Sequence, residues 1–89
     1  MDINLSSKFK RSYKKLPTDI RNDFDNKIPV FVENPRDPRL KIHKLKGKLQ
    51  DCLAFGLRDG HRVLFEFSSE NTIDLLDIGS HDKYRQWER

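Results

Sequence analysis

Residues 61–67, His-Arg-Val-Leu-Phe-Glu-Phe, alternate with a period of two: His61, Val63, Phe65 and Phe67 fall on one face, and Arg62, Leu64 and Glu66 on the other. A run of β-branched and aromatic residues at that period is a strand. Its first face is almost wholly apolar and needs cover, which makes it the central strand of a small sheet. Its second face carries a cation, Arg62, among apolar neighbours.

The segments on either side supply the partners. Asp59-Gly60 is a hairpin-turn signal, and before it Leu53, Phe55 and Leu57 share one face of a second strand. Ser68-Ser69-Glu70-Asn71 is a turn that leads into a third strand over residues 72–78. At the other end, Ile3-Asn4-Leu5 reads as a short strand, after which Ser6 or Ser7 can cap a helix. Phe9, Tyr13 and Leu16 then form a stripe at spacings of four and three, with Lys8, Lys10, Arg11, Lys14 and Lys15 on the remaining faces. Pro17 ends this helix, and Thr18 or Asp19 is placed to cap a second one, whose stripe is Ile20, Phe24, Ile28, Phe31 and Val32. The stripe continues past Pro29, which predicts a kink there rather than a stop. Asn34-Pro35-Arg36-Asp37-Pro38 is a loop.

The order β-α-α-β-β-β describes an α+β fold: an N-terminal helical hairpin packed on one face of a small antiparallel sheet, with the opposite face open to solvent. Residues 1–89 read as a single domain without internal repeat or linker. A chain of 89 residues buries about 60–65% of its unfolded surface, enough for one modest core.

Charge narrows the function. Lys and Arg outnumber Asp and Glu by 13 to 6 in residues 1–48 and fall to 5 against 8 thereafter, for a net charge of +4. A basic half points to a polyanion, with RNA the usual one, or else to a solvated basic helix face. The single cysteine, Cys52, excludes a disulfide within the chain and fits the cytoplasm. No apolar run is long enough to span a membrane, and the N-terminus lacks the basic-then-apolar order of a signal peptide.

No metal-ligand spacing, phosphate-binding glycine loop or nucleophile elbow is present, so neither a metal nor a small-molecule cofactor is expected. What remains is histidine, arginine and lysine, a set suited to phosphodiester chemistry. Cleaving RNA without a metal takes a base for the 2′-hydroxyl proton, an acid for the leaving 5′-oxygen and cations for the phosphorane; histidine serves as either near neutral pH. His43 lies in the run Leu40-Lys41-Ile42-His43-Lys44-Leu45-Lys46-Gly47-Lys48, and His81 follows Gly79-Ser80 at a strand's end. Arg62 faces away from the main core, free to meet a phosphate or to pair across strands with Asp74 or Glu66. Lys44 and Lys46 share parity and could hold a nucleic-acid backbone or simply be solvated. Tyr84 and Trp87 could stack on a base or pin the tail to the core.

Taken together, His43-Lys44-Leu45-Lys46-Gly47, Gly60-His61-Arg62-Val63-Leu64-Phe65-Glu66 and Ile78-Gly79-Ser80-His81 resemble the RelE/ParE toxin superfamily. The shared pattern is H-x-L-x-G, then a strand with an arginine before hydrophobic and aromatic residues, then a final strand ending I-G-x-H. The nearest type is the YafQ-like branch of bacterial mRNA interferases. The resemblance implies a RelE-like fold and the toxin of a type II toxin–antitoxin system: a ribosome-dependent endoribonuclease that cleaves mRNA and is neutralised by a cognate antitoxin. It assigns proton transfer to His43 and His81, phosphorane stabilisation to Arg62, and contacts to mRNA or ribosomal RNA to Lys44, Lys46, Arg58 and Tyr84. The chain departs from the family in three places. RelE has two lysines in the strand where this sequence has Ala54 and Gly56; many relatives have an aromatic at the position of Arg85; and YafQ-like proteins have an acidic-aromatic pair at Gly60-His61. The alternatives are a ParE-like inhibitor of DNA gyrase and a degenerate, non-catalytic relative that binds antitoxin or RNA.

Overall fold

The structure is a computed structural model that describes residues 1–89. Strand β1 (Asp2–Leu5) opens the chain, followed by helices α1 (Ser7–Lys14) and α2 (Thr18–Glu33). A short strand β2 (His43–Lys44) precedes β3 (Leu53–Gly56), β4 (Arg62–Ser69) and β5 (Thr72–Gly79), and helix α3 (His81–Trp87) closes the chain. The sheet order is β1-β5-β4-β3-β2. Strands β2 to β5 run antiparallel to their neighbours, whereas β1 lies parallel to β5. The sheet is therefore mixed rather than wholly antiparallel. The helical hairpin carries the chain from β1 at one edge of the sheet to β2 at the other.

Local chemistry sets the element ends. Ser6 caps α1, its Oγ accepting from the Phe9 amide at 2.9 Å. At α2 the cap position is Pro17 itself, and Thr18 and Asp19 are already helical. Helix α2 continues through Pro29 to Glu33, with the ring on the exposed side. Between β3 and β4, Asp59 and Gly60 both adopt left-handed backbone, at φ 54° and 75°, the pairing that an Asp-Gly turn favours.

The helices cover one face of the sheet over a core of Phe9, Ile20, Phe24, Phe31, Leu40, Phe55, Val63, Phe65, Ile73, Leu75 and Ile78. On β5 the inward residues run Ile73, Leu75 and then Ile78, because a register shift opposite Leu64 and Phe65 inserts one residue. The opposite face is not open. Helix α3 folds across it, and Trp87 joins Leu45, Cys52 and Leu64 in a second apolar cluster, with Leu49, Leu76 and Tyr84 packed against it. The C-terminal segment that holds Tyr84 and Trp87 is thus a structural helix, and that half of the sheet is covered for a simple reason: Leu64 and Leu76 would otherwise lie bare.

The buried carboxylate of Asp77 ties these layers together. Its Oδ1 accepts from Ser12 Oγ of α1 at 2.7 Å and from Lys83 Nζ of α3 at 2.9 Å. Lys83 Nζ also donates to Ser12 Oγ at 2.7 Å. The lysine stem crosses Gly79 so closely that a Cβ there would stand 3.0 Å from Lys83 Cβ, so a glycine is needed for this passage.

Candidate active site

The part of the second face left uncovered by Trp87 carries the candidate site. His43 pairs with Ala54 across β2 and β3, and Ala54 with Leu64. Arg62 lies two residues from Leu64 on the same strand, so His43 and Arg62 project from one face. Arg62 stands in register between Gly56 and Gly79, so no side chain flanks it on either neighbouring strand.

Tyr84, in the second turn of α3, is the centre of the group. Its hydroxyl lies 2.8 Å from His43 Nε2. His43 Nδ1 is 3.2 Å from the carbonyl oxygen of Lys41, which can only accept. Nδ1 is therefore protonated, and in the neutral ring Nε2 is the lone-pair nitrogen that accepts from Tyr84. The Arg62 guanidinium carbon sits over the Tyr84 ring, 5.3 Å from its centroid. The rings of His43 and His81 lie 5.5 and 6.1 Å from that of Tyr84, centroid to centroid. Burial first, then the negative charge of Glu88, raise the Tyr84 phenol above its usual value, so it remains a neutral donor well above neutral pH. Arg62 has no ion pair with Asp74 or Glu66; its Nη1 donates to the His61 carbonyl at 3.1 Å, and Asp74 accepts from Asn4.

His81 is exposed at the start of α3, where Ser80 supplies the cap. It rests against the β3–β4 turn: a Cβ on Gly60 would lie 3.3 Å from His81 Cβ. His61 belongs to that turn as well, its amide donating to the Arg58 carbonyl at 3.1 Å.

Of the residues read from sequence, the fold gathers His43, Arg62, His81 and Tyr84, and it separates the others. Lys44 pairs with Leu53 and projects from the helix-bearing face, into a groove lined also by Pro35 and Phe67. Lys46 is exposed past the end of β2, its amide 3.3 Å from the Glu88 carboxylate. Arg58 is exposed on the β3–β4 turn, its amide held by Asp23 at 2.8 Å. Trp87 is a core residue.

Solved structures share this architecture. YafQ from E. coli strain BL21(DE3) matches with a TM-score of 0.76 over 92% of this chain and 94% of that one, at 14% identity. The isolated E. coli RelE toxin matches at 0.70 over 97% and 93%, at 21% identity. A chain of the intact E. coli RelBE toxin–antitoxin complex matches at 0.67 over 89% and 94%, at 20% identity.

The chain has the RelE/ParE toxin fold.

No family model matches the sequence. No curated protein matches it either. Within this RelE-like fold, two basic residues near His43 were not singled out from the sequence. Lys27 of α2 and Lys41, just before β2, line a cleft of about 340 Å³ together with His43, Gly56 and Arg62. Neither belongs to a motif, and they reach the site from elements far apart in the chain.

Proposed function

We propose that residues 1–89 act as one toxin domain of a type II toxin–antitoxin pair, in the cytoplasm, as an endoribonuclease acting on ribosome-bound mRNA. The observation that carries this reading is the convergence of His43, Arg62 and His81 around Tyr84, from β2, β4 and the start of α3. The RelE-like fold and its occurrence in the RelBE toxin–antitoxin complex support the antitoxin partner.

In this mechanism His43 Nε2 takes the proton of the 2′-hydroxyl, because its other nitrogen is fixed as a donor by the Lys41 carbonyl. The 2′-oxygen attacks phosphorus and the bond to the 5′-oxygen breaks. His81 gives its proton to that leaving oxygen, and the product strand ends in a 2′,3′-cyclic phosphate. Arg62 pairs with the non-bridging oxygens, where charge accumulates in the transition state. Tyr84 must release Nε2 as RNA enters, and its ring then stacks on a base. Arg58, Lys44 and Lys46 supply outlying contacts to ribosomal RNA or message backbone.

The test is an in vitro translation reaction with purified protein, mapping mRNA 5′ ends by primer extension with and without ribosomes. Cuts confined to ribosome-bound message, lost in His81→Ala while antitoxin binding persists, are the expected result. Intact message would overturn the reading. A DNA supercoiling assay would then separate a gyrase inhibitor from a non-catalytic relative.

A further inference from the structure

The cleft beside His43 has more positive charge than proton transfer requires. Its floor is Gly56, the cross-strand partner of Arg62. A Cβ added at Gly56 would meet nothing within 4 Å. A polymer backbone can therefore lie directly on the sheet at this point. Four cations, Lys27, Arg39, Lys41 and Arg62, line the cleft with His43, and no carboxylate does.

These cations differ in availability. Lys27 Nζ bonds Asp23 at 3.1 Å and the Gly56 carbonyl at 3.2 Å, so it sits at the floor with part of its charge offset. Arg39 is taken up by Asp37, at 2.7 Å. Lys41 and Arg62 are paired with no carboxylate. The Lys41 backbone is held in the left-handed region at φ 54°, with its amide donating to the Pro38 carbonyl at 3.2 Å and its carbonyl accepting from His43. An unusual backbone conformation fixed from both sides sets Lys41, a cation without a carboxylate partner, in the lining of the cleft that also holds the candidate base.

The geometry points to a second phosphate subsite: the cleft over Gly56 holds the phosphodiester next to the one that is cut, with Lys41 as its principal ligand and Lys27 at the floor. This rests on the endoribonuclease reading for the identity of the polymer. It also accounts for the absence of lysine from β3. Positive charge that Ala54 and Gly56 cannot supply is delivered from α2 and from the turn before β2. Two anchored phosphates fix the register of the strand, so the linkage between His43 and His81 is the one presented for cleavage. The ligand class is single-stranded RNA with at least two consecutive charged linkages.

The experiment measures binding of a labelled tetraribonucleotide, 2′-O-methylated throughout so that it cannot be cut, with each linkage replaced in turn by a neutral methylphosphonate. The wild type is expected to lose about tenfold in affinity when the flanking linkage is neutral. Lys41→Gln is expected to bind the fully charged strand about tenfold more weakly and to be indifferent to that one replacement. Its log-affinity-versus-log-salt slope should be shallower by about 0.7, the value for one phosphate contact on a single strand. Lys41→Arg restores binding. Lys15→Gln, the same charge change at an exposed residue just past α1, leaves the linkage pattern intact. The subsite is overturned if Lys41→Gln keeps wild-type affinity, if it keeps the wild-type linkage pattern, or if the wild type binds none of the strands. Linkage-specific binding through Lys41 with uncut ribosomal message would retain the subsite and remove the nuclease reading; cut message with Lys41→Gln indistinguishable from wild type would do the reverse.

Discussion

The hydroxyl of Tyr84 donates to His43 Nε2 at 2.8 Å, closing a chain that begins at the Lys41 carbonyl, 3.2 Å from Nδ1. This chain fixes both the tautomer and the orientation of the imidazole before any substrate arrives. Tyr84→Phe keeps the ring on which Arg62 and His81 rest and removes only this bond. A neutral hydrogen bond is worth ~1 kcal/mol, and this one must break before Nε2 can take the substrate proton, so the expected outcome is cleavage of ribosome-bound message no slower than wild type, with an unchanged melting temperature. Tyr84→Ala removes the ring as well and should cost considerably more. Equal losses in the two variants, measured in single-turnover cleavage, would refute the stacking role of the ring.

Arg62 is free of carboxylates and lies between two glycines in register, Gly56 and Gly79. Its charge is thus available to a phosphorane. Arg62→Ala should raise the barrier by ~2–4 kcal/mol, the scale for removing one oxyanion contact. A rate change of less than tenfold would instead make Arg62 a structural partner of Tyr84 alone.

Trp87 shows where sequence reading stops. The helical stripes of Phe9, Tyr13 and Leu16 and of Ile20, Phe24 and Phe31 were legible because each repeats over several turns. The β3–β4 hairpin was legible from Asp59-Gly60, and His43, Arg62 and His81 from short motifs. Helix α3 was not, because seven residues with only Tyr84 and Trp87 to bury carry no repeating pattern. The pairing of β1 escaped for a similar reason: of its four residues only Ile3 is even half-buried. Lys27 and Lys41 escaped because no local pattern links them. The second cluster makes a direct prediction. Trp87→Ala should destabilise the protein by ~3–5 kcal/mol, as large-to-small changes in a core do. Buried Cys52, whose thiol burial holds above its usual range, should then react with a thiol reagent far faster. Urea midpoints and thiol labelling read the two effects.

Lys83 secures α3 from beneath. Asp77 is 1% exposed, and removing its nearest cation leaves only Lys8 Nζ, 3.8 Å from Oδ2, to offset a buried charge. Lys83→Met should destabilise the protein by less than the ~3–5 kcal/mol lost when one member of a fully buried pair is deleted, because Lys83 is partly exposed and Lys8 remains. Combining it with Asp77→Asn removes the buried charge and should recover part of that loss. Gly79→Ala should act in the same direction as Lys83→Met, because its methyl group would displace the lysine stem from its path to Asp77. Denaturant unfolding of the three variants tests this, and an undiminished stability for Lys83→Met would show that Ser12, the Ile78 amide and Lys8 suffice to hold the carboxylate.

Asp37 gives the pH dependence. Its side chain caps the turn that buries Leu40, accepting from the Arg39 amide at 2.9 Å while pairing with the Arg39 guanidinium at 2.7 Å. Those bonds lower its pKa to about 2. A carboxylate whose folded value lies below its unfolded value, ~3.9 for aspartate, stabilises the fold fully above the unfolded value, and the contribution fades as pH falls through the folded one. Asp37→Asn should therefore be less stable than wild type at pH 7, with the gap narrowing below about pH 4 and vanishing once the pH passes below the folded value of about 2. Urea midpoints of both proteins across that range measure the gap directly. A gap that stays constant with pH would assign the effect to the neutral capping bond rather than to the charge. Because the same turn leads into Lys41, whose carbonyl orients His43, loss of the cap should also loosen the imidazole, visible as a change in its ring-proton chemical shifts at neutral pH.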